Sequence, residues 1–265
     1  MSDAKASAPP EAKPLPEIRI ISNGDIRQAV RKGAADLQAA SYFSLFFGLF
    51  YAAAGWIILY IFFTFEVGIY AYPATMGFPL IAPFVAAGLY EISRRLEREK
   101  PLKWAGILAS VKNAGGNDLS WMAMLTTFAY IIWVDIAAAI YVGFFGLRKM
   151  DINSLVELVF TTPKGLVFFV TGNLVGAILS TIIFSLTVVS FPLLFDREVD
   201  FVTAMITSVK AVKANPWPMV YWASIIFAMM AVSMITLFVA LIVLLPLLGH
   251  ATWHVYRTVL APEKS

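Results

Sequence analysis

Cysteine is absent from the 265 residues and histidine occurs twice. The first absence removes disulfides, thiolate metal sites, iron–sulfur clusters and cysteine nucleophiles together. The second leaves too few imidazoles for a haem–copper catalytic subunit. Charge is scarce as well: 14% of side chains are charged and 60% are hydrophobic, outside the range of ordinary soluble domains. What fills the chain is apolar sequence in blocks longer than the ~20 residues needed to cross a bilayer. The blocks run from Tyr42 to Thr64, Tyr72 to Ile92, Trp121 to Gly146, Gly165 to Phe195 and Met219 to Tyr256. They are apolar all round, so the chain reads as an all-α, polytopic transmembrane bundle with a lipid bilayer as its solvent.

Before the first block lies a mostly polar head, with Pro9, Pro10, Pro14 and Pro16 among small and charged residues. Residues 1–17 read as a disordered head, with no cleavable signal peptide, and 18–260 as one integral-membrane domain.

A repeated order of segments organises that domain. A short amphipathic helix comes first, then an apolar segment, then an apolar segment marked by proline. The amphipathic stripes are Ile26-Ala29-Val30-Gly33, Trp104-Ile107-Leu108-Val111 and Val202-Met205-Ile206-Val209, all on helical spacing. The proline-marked ends are Phe78-Pro79-Leu80-Ile81-Ala82-Pro83, Ser190-Phe191-Pro192-Leu193-Leu194 and Leu245-Pro246-Leu247-Leu248-Gly249. The expectation is six spans as three hairpins, covering about 25–95, 103–197 and 199–257.

Charge placement orients them. Lys5, Lys13, Arg19, Arg27, Arg31 and Lys32 in the head, and Arg94, Arg95, Arg98, Lys100, Lys103 and Lys112 after the second block, mark the cytoplasmic side. The link from Phe65 to Ala71 carries no basic residue and one acid, Glu66. Arg148, Lys149 and Lys164 fall outside, a minor violation in a short loop. This puts the N-terminus and all three amphipathic helices at the cytoplasmic face of an inner membrane. There their cations can meet anionic lipid headgroups, or the helices can pack on the bundle as linkers. The last block is ambiguous. Trp217 to Arg257 would reach roughly 60 Å as one helix at ~1.5 Å per residue, and no Gly or Pro lies between Pro218 and Pro246. A break near Ser233 to Thr236 gives six spans; a single long helix gives five.

Few side chains in these blocks carry chemistry. Asp135 stands near the middle of the third, where an ionised carboxylate is costly and usually faces a partner or a wet cavity. It suits an ion or proton site, or a protonated structural hydrogen bond. Asn173 lies on a stripe with Ser180 and Thr187 every seven residues, which suits helix packing or, with Asp135, the polar lining of a pathway, and Gly172, Gly176 and Ser180 form a small-residue groove suited to helix packing. His250 and His254, at i and i+4, share a helix face and suit two ligands of a metal or polar anchors at a membrane boundary. At matching spacing from a proline, Tyr90-Glu91 and Arg94 parallel Trp253-His254 and Arg257; a Glu91–His254 pair across the hairpins is one possible consequence. Gly115-Gly116-Asn117-Asp118 lacks the Lys-Ser/Thr of a phosphate loop and reads as a turn.

The stretches Gly77-Phe78-Pro79-Leu80-Ile81-Ala82-Pro83 and Gly88-Leu89-Tyr90-Glu91-Ile92-Ser93-Arg94-Arg95-Leu96-Glu97 resemble an integral-membrane family of unknown function, domain of unknown function 2189. So do Asp25-Ile26-Arg27 and the closing Pro246 to Arg257, so the likeness runs from Ile18 to Arg257. The resemblance implies a bacterial cytoplasmic-membrane protein of about six helices and brings no activity, cofactor or catalytic residue.

Three functional readings follow: a non-catalytic scaffold or accessory subunit partnered by other membrane proteins, a small transporter or channel using Asp135, and a metal-binding protein at His250 and His254. The first ranks highest. No enzyme, cofactor or nucleic-acid partner is expected.

Overall fold

The structure, a computed structural model, describes residues 16–64, 82–114, 117–147, 150 and 152–262. Most of the polar head, the Phe65–Ala71 link, the Pro79 motif with the first half of the second apolar block, the Gly115-Gly116 turn and the Arg148-Lys149 loop lie outside the described residues. Among the described residues the chain is helical, apart from one isolated antiparallel bridge, Ile18 to Leu260. The helices are α1 Asn23–Ala39, α2 Ser41–Thr64, α3 Ala82–Glu97, α4 Trp104–Ala114, α5 Asn117–Phe145 and α6 Ile152–Thr161. They continue as α7 Pro163–Thr187, α8 Ser190–Asp196, α9 Phe201–Ala214, α10 Pro216–Ile235 and α11 Leu241–Val259. Among the described residues, four stretches are long and apolar enough to cross a membrane: Ser41–Ile61, Asp118–Phe145, Pro163–Asp196 and Pro216–Ile235.

Local sequence sets the ends. Ser22 and Asp25 form a reciprocal capping box on α1, each satisfying a backbone N–H the helix leaves open. Thr162 caps α7 through the Gly165 N–H at 3.0 Å, with Pro163 in the first turn. Asp200 caps α9 by accepting from the Thr203 N–H at 2.9 Å. The interruption between α7 and α8 falls at Val188-Val189, directly over Pro192. A proline cannot donate to the carbonyl four residues back and its ring crowds that carbonyl, here Val188.

The last apolar block breaks where the sequence allowed. α10 ends at Ile235, and Leu237 and Phe238 turn with φ of 48° and 68° before α11 begins. The Trp56 indole N–H donates to the Leu237 carbonyl at 2.7 Å, bringing the far end of α2 to this turn. At the other end, the Arg19 N–H donates to the Val259 carbonyl at 2.8 Å. The Asn215 amide, at the start of α10, accepts from the Ile21 N–H at 2.8 Å and donates to the Arg19 carbonyl at 3.0 Å. α10 and α11 therefore run antiparallel, and α1 with α2 runs antiparallel to α11 along its length.

That pairing departs from the interfacial position expected of the first amphipathic helix. The buried residues of α1 are Ile26, Ala29 and Gly33, and α11 covers them: a Cβ on Gly33 would stand 2.6 Å from the Ala251 nitrogen. The apolar stripe of α1 is thus satisfied by protein rather than by lipid. α9 differs. It buries Ala204, Thr207, Ser208 and Ala211 and leaves Val202 and Ile206 exposed.

Close helix approach occurs where α2 crosses α11. A Cβ on Gly48 would collide with the Ile242 carbonyl oxygen. Ile242 is the residue whose carbonyl Pro246 leaves without its helical donor. The small-residue groove predicted on α7 is used differently: Gly172 has open space beside it, Gly176 meets the Trp133 ring, and Ser180 is exposed. An indole fills the groove at one point, so the backbones of α5 and α7 are held apart there.

Candidate functional site: a buried polar chain and an outward carboxylate

α1, α2, α3 and α11 meet at a continuous line of polar side chains. His250, fully buried on α11, lies 2.9 Å from Ser44 Oγ through Nε2 and 2.8 Å from Ser93 Oγ through Nδ1. The Ser93 hydroxyl donates to Asp36 Oδ2 at 2.7 Å. The same oxygen lies 2.8 Å from His254 Nε2. One set of proton positions accounts for all four contacts. Nδ1–H of His250 donates to Ser93, Ser93 donates to Asp36, Ser44 donates to Nε2, and His254 donates to Asp36.

Periodicity explains the convergence. Asp36 follows Ile26, Ala29 and Gly33 on the buried stripe of α1, and Ser93 follows Ala86 and Leu89 on α3. A carboxylate on an apolar stripe is a readable signal of an internal partner, and sequence reasoning missed it. Burial raises the pKa of Asp36. Hydrogen bonds from His254 and Ser93, with the fields of both histidines, outweigh that and hold it below the ordinary carboxylate value. Its outer side opens on a recess of about 280 Å³ lined by Lys32, Ala35, Asp36, Leu96, Glu97 and His254.

This order is not that of a nucleophilic triad, in which histidine stands between serine and carboxylate. Here Ser93 stands in the middle and gives its proton to Asp36, and both serines are fully buried. Metal ligation by the histidine pair meets a similar difficulty, since both nitrogens of His250 are engaged within the protein. No group of three or more His, Cys, Asp or Glu side chains suited to a metal occurs among the described residues.

Glu91 does not meet His254. It is buried on α3 and pairs with Arg94 and with Arg95, the latter at 2.6 Å. Beside it the ends of α3, α8 and α11 converge. The Tyr90 ring lies 6.2 Å from Phe195 and 6.3 Å from Trp253, and Arg94 sits 4.7 Å over Phe195. Asp196 accepts from the Tyr256 hydroxyl at 2.8 Å and lies 3.6 Å from Arg98 and 3.7 Å from Arg257.

Asp135 is elsewhere. It is exposed on α5, with no hydrogen bond or ion pair to any described residue. Of its span, Asp118–Phe145, only Leu119, Met122, Ala123, Thr126 and Tyr141 are buried inside the molecule. Asn173, also exposed, donates to the Phe169 carbonyl on its own helix at 2.8 Å. The two polar residues proposed for one pathway thus lie on outer surfaces of α5 and α7.

Comparison with known proteins fixes the class. Residues 71–196 match the family model DUF2189, a predicted integral membrane protein. The chain is an integral membrane protein. The DUF2189 match takes in α3 to α8, with Glu91, Ser93, Asp135 and Asn173; it stops short of α11 and does not reach Asp36, Ser44, His250 or His254. It is therefore narrower than the resemblance seen in the sequence. No curated protein and no solved structure matches.

Proposed function

We propose that this chain is a non-catalytic accessory or scaffold subunit of a larger membrane complex, docked through the outer face of α5. The observation that carries the reading is Asp135. A charged side chain at the centre of a membrane helix costs about 2.5–3.5 kcal/mol on insertion scales. No described residue of its own molecule offsets that, so a helix of a neighbouring protein is the natural source of a partner. The buried polar chain supports the same reading: its five side chains bond to one another, as in a structural joint.

In this reading the protein lies in a bacterial inner membrane with its N-terminus and charged helix ends in the cytoplasm, and has six spans arranged as three hairpin units. The dipeptides Tyr90-Glu91, Phe195-Asp196 and Trp253-His254 support the threefold plan. Each pairs an aromatic with a polar residue, and the three converge at one end of the bundle. The exposed Val202 and Ile206 on α9, with Lys210 one turn beyond, suit contact with anionic headgroups.

The test uses the natural absence of cysteine. Phe128→Cys on α5 and Trp217→Cys at the start of α10, both at exposed positions, are placed singly and treated with a membrane-permeant crosslinker in native membranes. A stoichiometric membrane protein captured from Phe128→Cys but not from Trp217→Cys, and co-purifying in mild detergent, is the expected result. A lone monomer at both positions overturns the reading.

A further inference from the structure

Resting on the docking role proposed for α5, the geometry points to a specific occupant: we infer that the outer face of α5 binds a transmembrane helix of another protein that carries a lysine or arginine at mid-span, paired with Asp135.

The face has the form of a helix–helix seam. Trp121, Phe128, Asp135 and Val142 recur every seven residues, with Met124 and Ile131 between them. Trp121, Met124, Phe128, Ile131 and Val142 are each 40–64% exposed. A repeat of seven with two apolar positions is the pattern by which one helix lays its side chains between those of another. The inward positions Met122, Ala123, Thr126 and Tyr141 are buried, so the outer seam is a separate face. Beyond Asp135 it narrows. Ala139 and Gly143 follow at four-residue intervals, and a Cβ on Gly143 would meet nothing within 4 Å. A second helix can therefore come close one and two turns beyond the carboxylate.

Charge selects the occupant. A second copy of this chain inserted in the same orientation would bring its own Asp135 to the same depth, and two adjacent carboxylates cannot both ionise. Nor does this chain have a lysine or arginine near the centre of any of its four candidate spans. A lysine or arginine on a foreign helix satisfies the carboxylate without protonation, and its long side chain crosses the gap above Ala139.

The experiment takes the full chain in phosphatidylcholine bilayers, labelled through Ser2→Cys, with acceptor-labelled polyleucine transmembrane peptides. One peptide has a central lysine, and its control has leucine there. Energy transfer should show the lysine peptide binding about tenfold more tightly than the leucine peptide. Asp135→Asn should remove the preference. Gly143→Leu, which keeps the carboxylate but closes the approach, should weaken binding of the lysine peptide. Equal binding of the two peptides, or a preference that survives Asp135→Asn, overturns the inference. Failure here alongside a stoichiometric partner crosslinked from Phe128→Cys would leave the accessory role standing and remove the cation. A lone monomer in native membranes would remove the accessory role whatever the peptides do.

Discussion

Asp36 and His254 stand 218 positions apart in the chain and 2.8 Å apart in the fold. Their contact joins the first helix to the last and, through Ser93 and His250, reaches Ser44 at the start of α2. The polar chain thus fastens both ends of the sequence to the middle of the bundle.

Asp36 should make stability depend on acid. Its pKa is lowered in the folded protein, so the unfolded chain takes up the proton first. The stabilising contribution is complete above the ordinary value of 3.8 and is lost as pH falls through the lower folded value. Thermal unfolding in detergent, followed by tryptophan fluorescence, should show a higher melting temperature than Asp36→Asn at pH 7 and pH 5. The gap should close below about pH 4. A gap that persists unchanged to pH 3 would show that the carboxylate acts by shape alone.

Replacing His250 should cost more than its volume suggests. His250→Ala leaves Ser44 and Ser93 buried with unmet hydrogen-bonding groups, each worth about 1–3 kcal/mol, and opens a cavity besides. His250→Gln, which retains a donor and an acceptor, should recover part of the loss in a denaturation titration. Equal stability of the two variants would contradict the hydrogen-bond assignment.

Two glycines predict opposite outcomes. Gly48→Ala drives a methyl group into the Ile242 carbonyl, an overpacking expected to cost about 1–3 kcal/mol. Gly172→Ala meets open space and should be neutral or slightly stabilising. Melting temperatures of the two variants, measured side by side, check where the helices touch.

The turn between α10 and α11 offers a gain. Leu237 is exposed and held at φ 48°, a left-handed conformation that costs an L-residue roughly 1–2 kcal/mol. Leu237→Gly should therefore raise the melting temperature or slow amide exchange at the α10–α11 turn. A drop would mean that the leucine side chain contributes more there than its exposure suggests.

Much of the fold was readable in order along the chain. Four of the expected spans stand out because a bilayer demands about 20 apolar residues per helix. The break before Leu237 agreed with the expected return of the last block, although no glycine or proline marks it. Side-chain placement was less legible. His250 and His254 drew notice because histidine is rare here, yet their partners Asp36, Ser44 and Ser93 are ordinary residue types in unremarkable surroundings. Asp135 and Asn173 invited a shared pathway on polarity alone, and helix rotation turns both outward.

The sequence by itself determined that the chain lives in a membrane, where its helices lie, and which ends carry charge, because these follow from hydrophobicity, periodicity and capping within one segment at a time. Tertiary structure decided which faces meet. It placed α1 on α11 rather than on lipid, joined Asp36 to His254, and left Asp135 outside. Such choices depend on the rotation and crossing of whole helices, and a rotation by about one residue, roughly 100°, moves a side chain from a neighbour's surface to the bilayer.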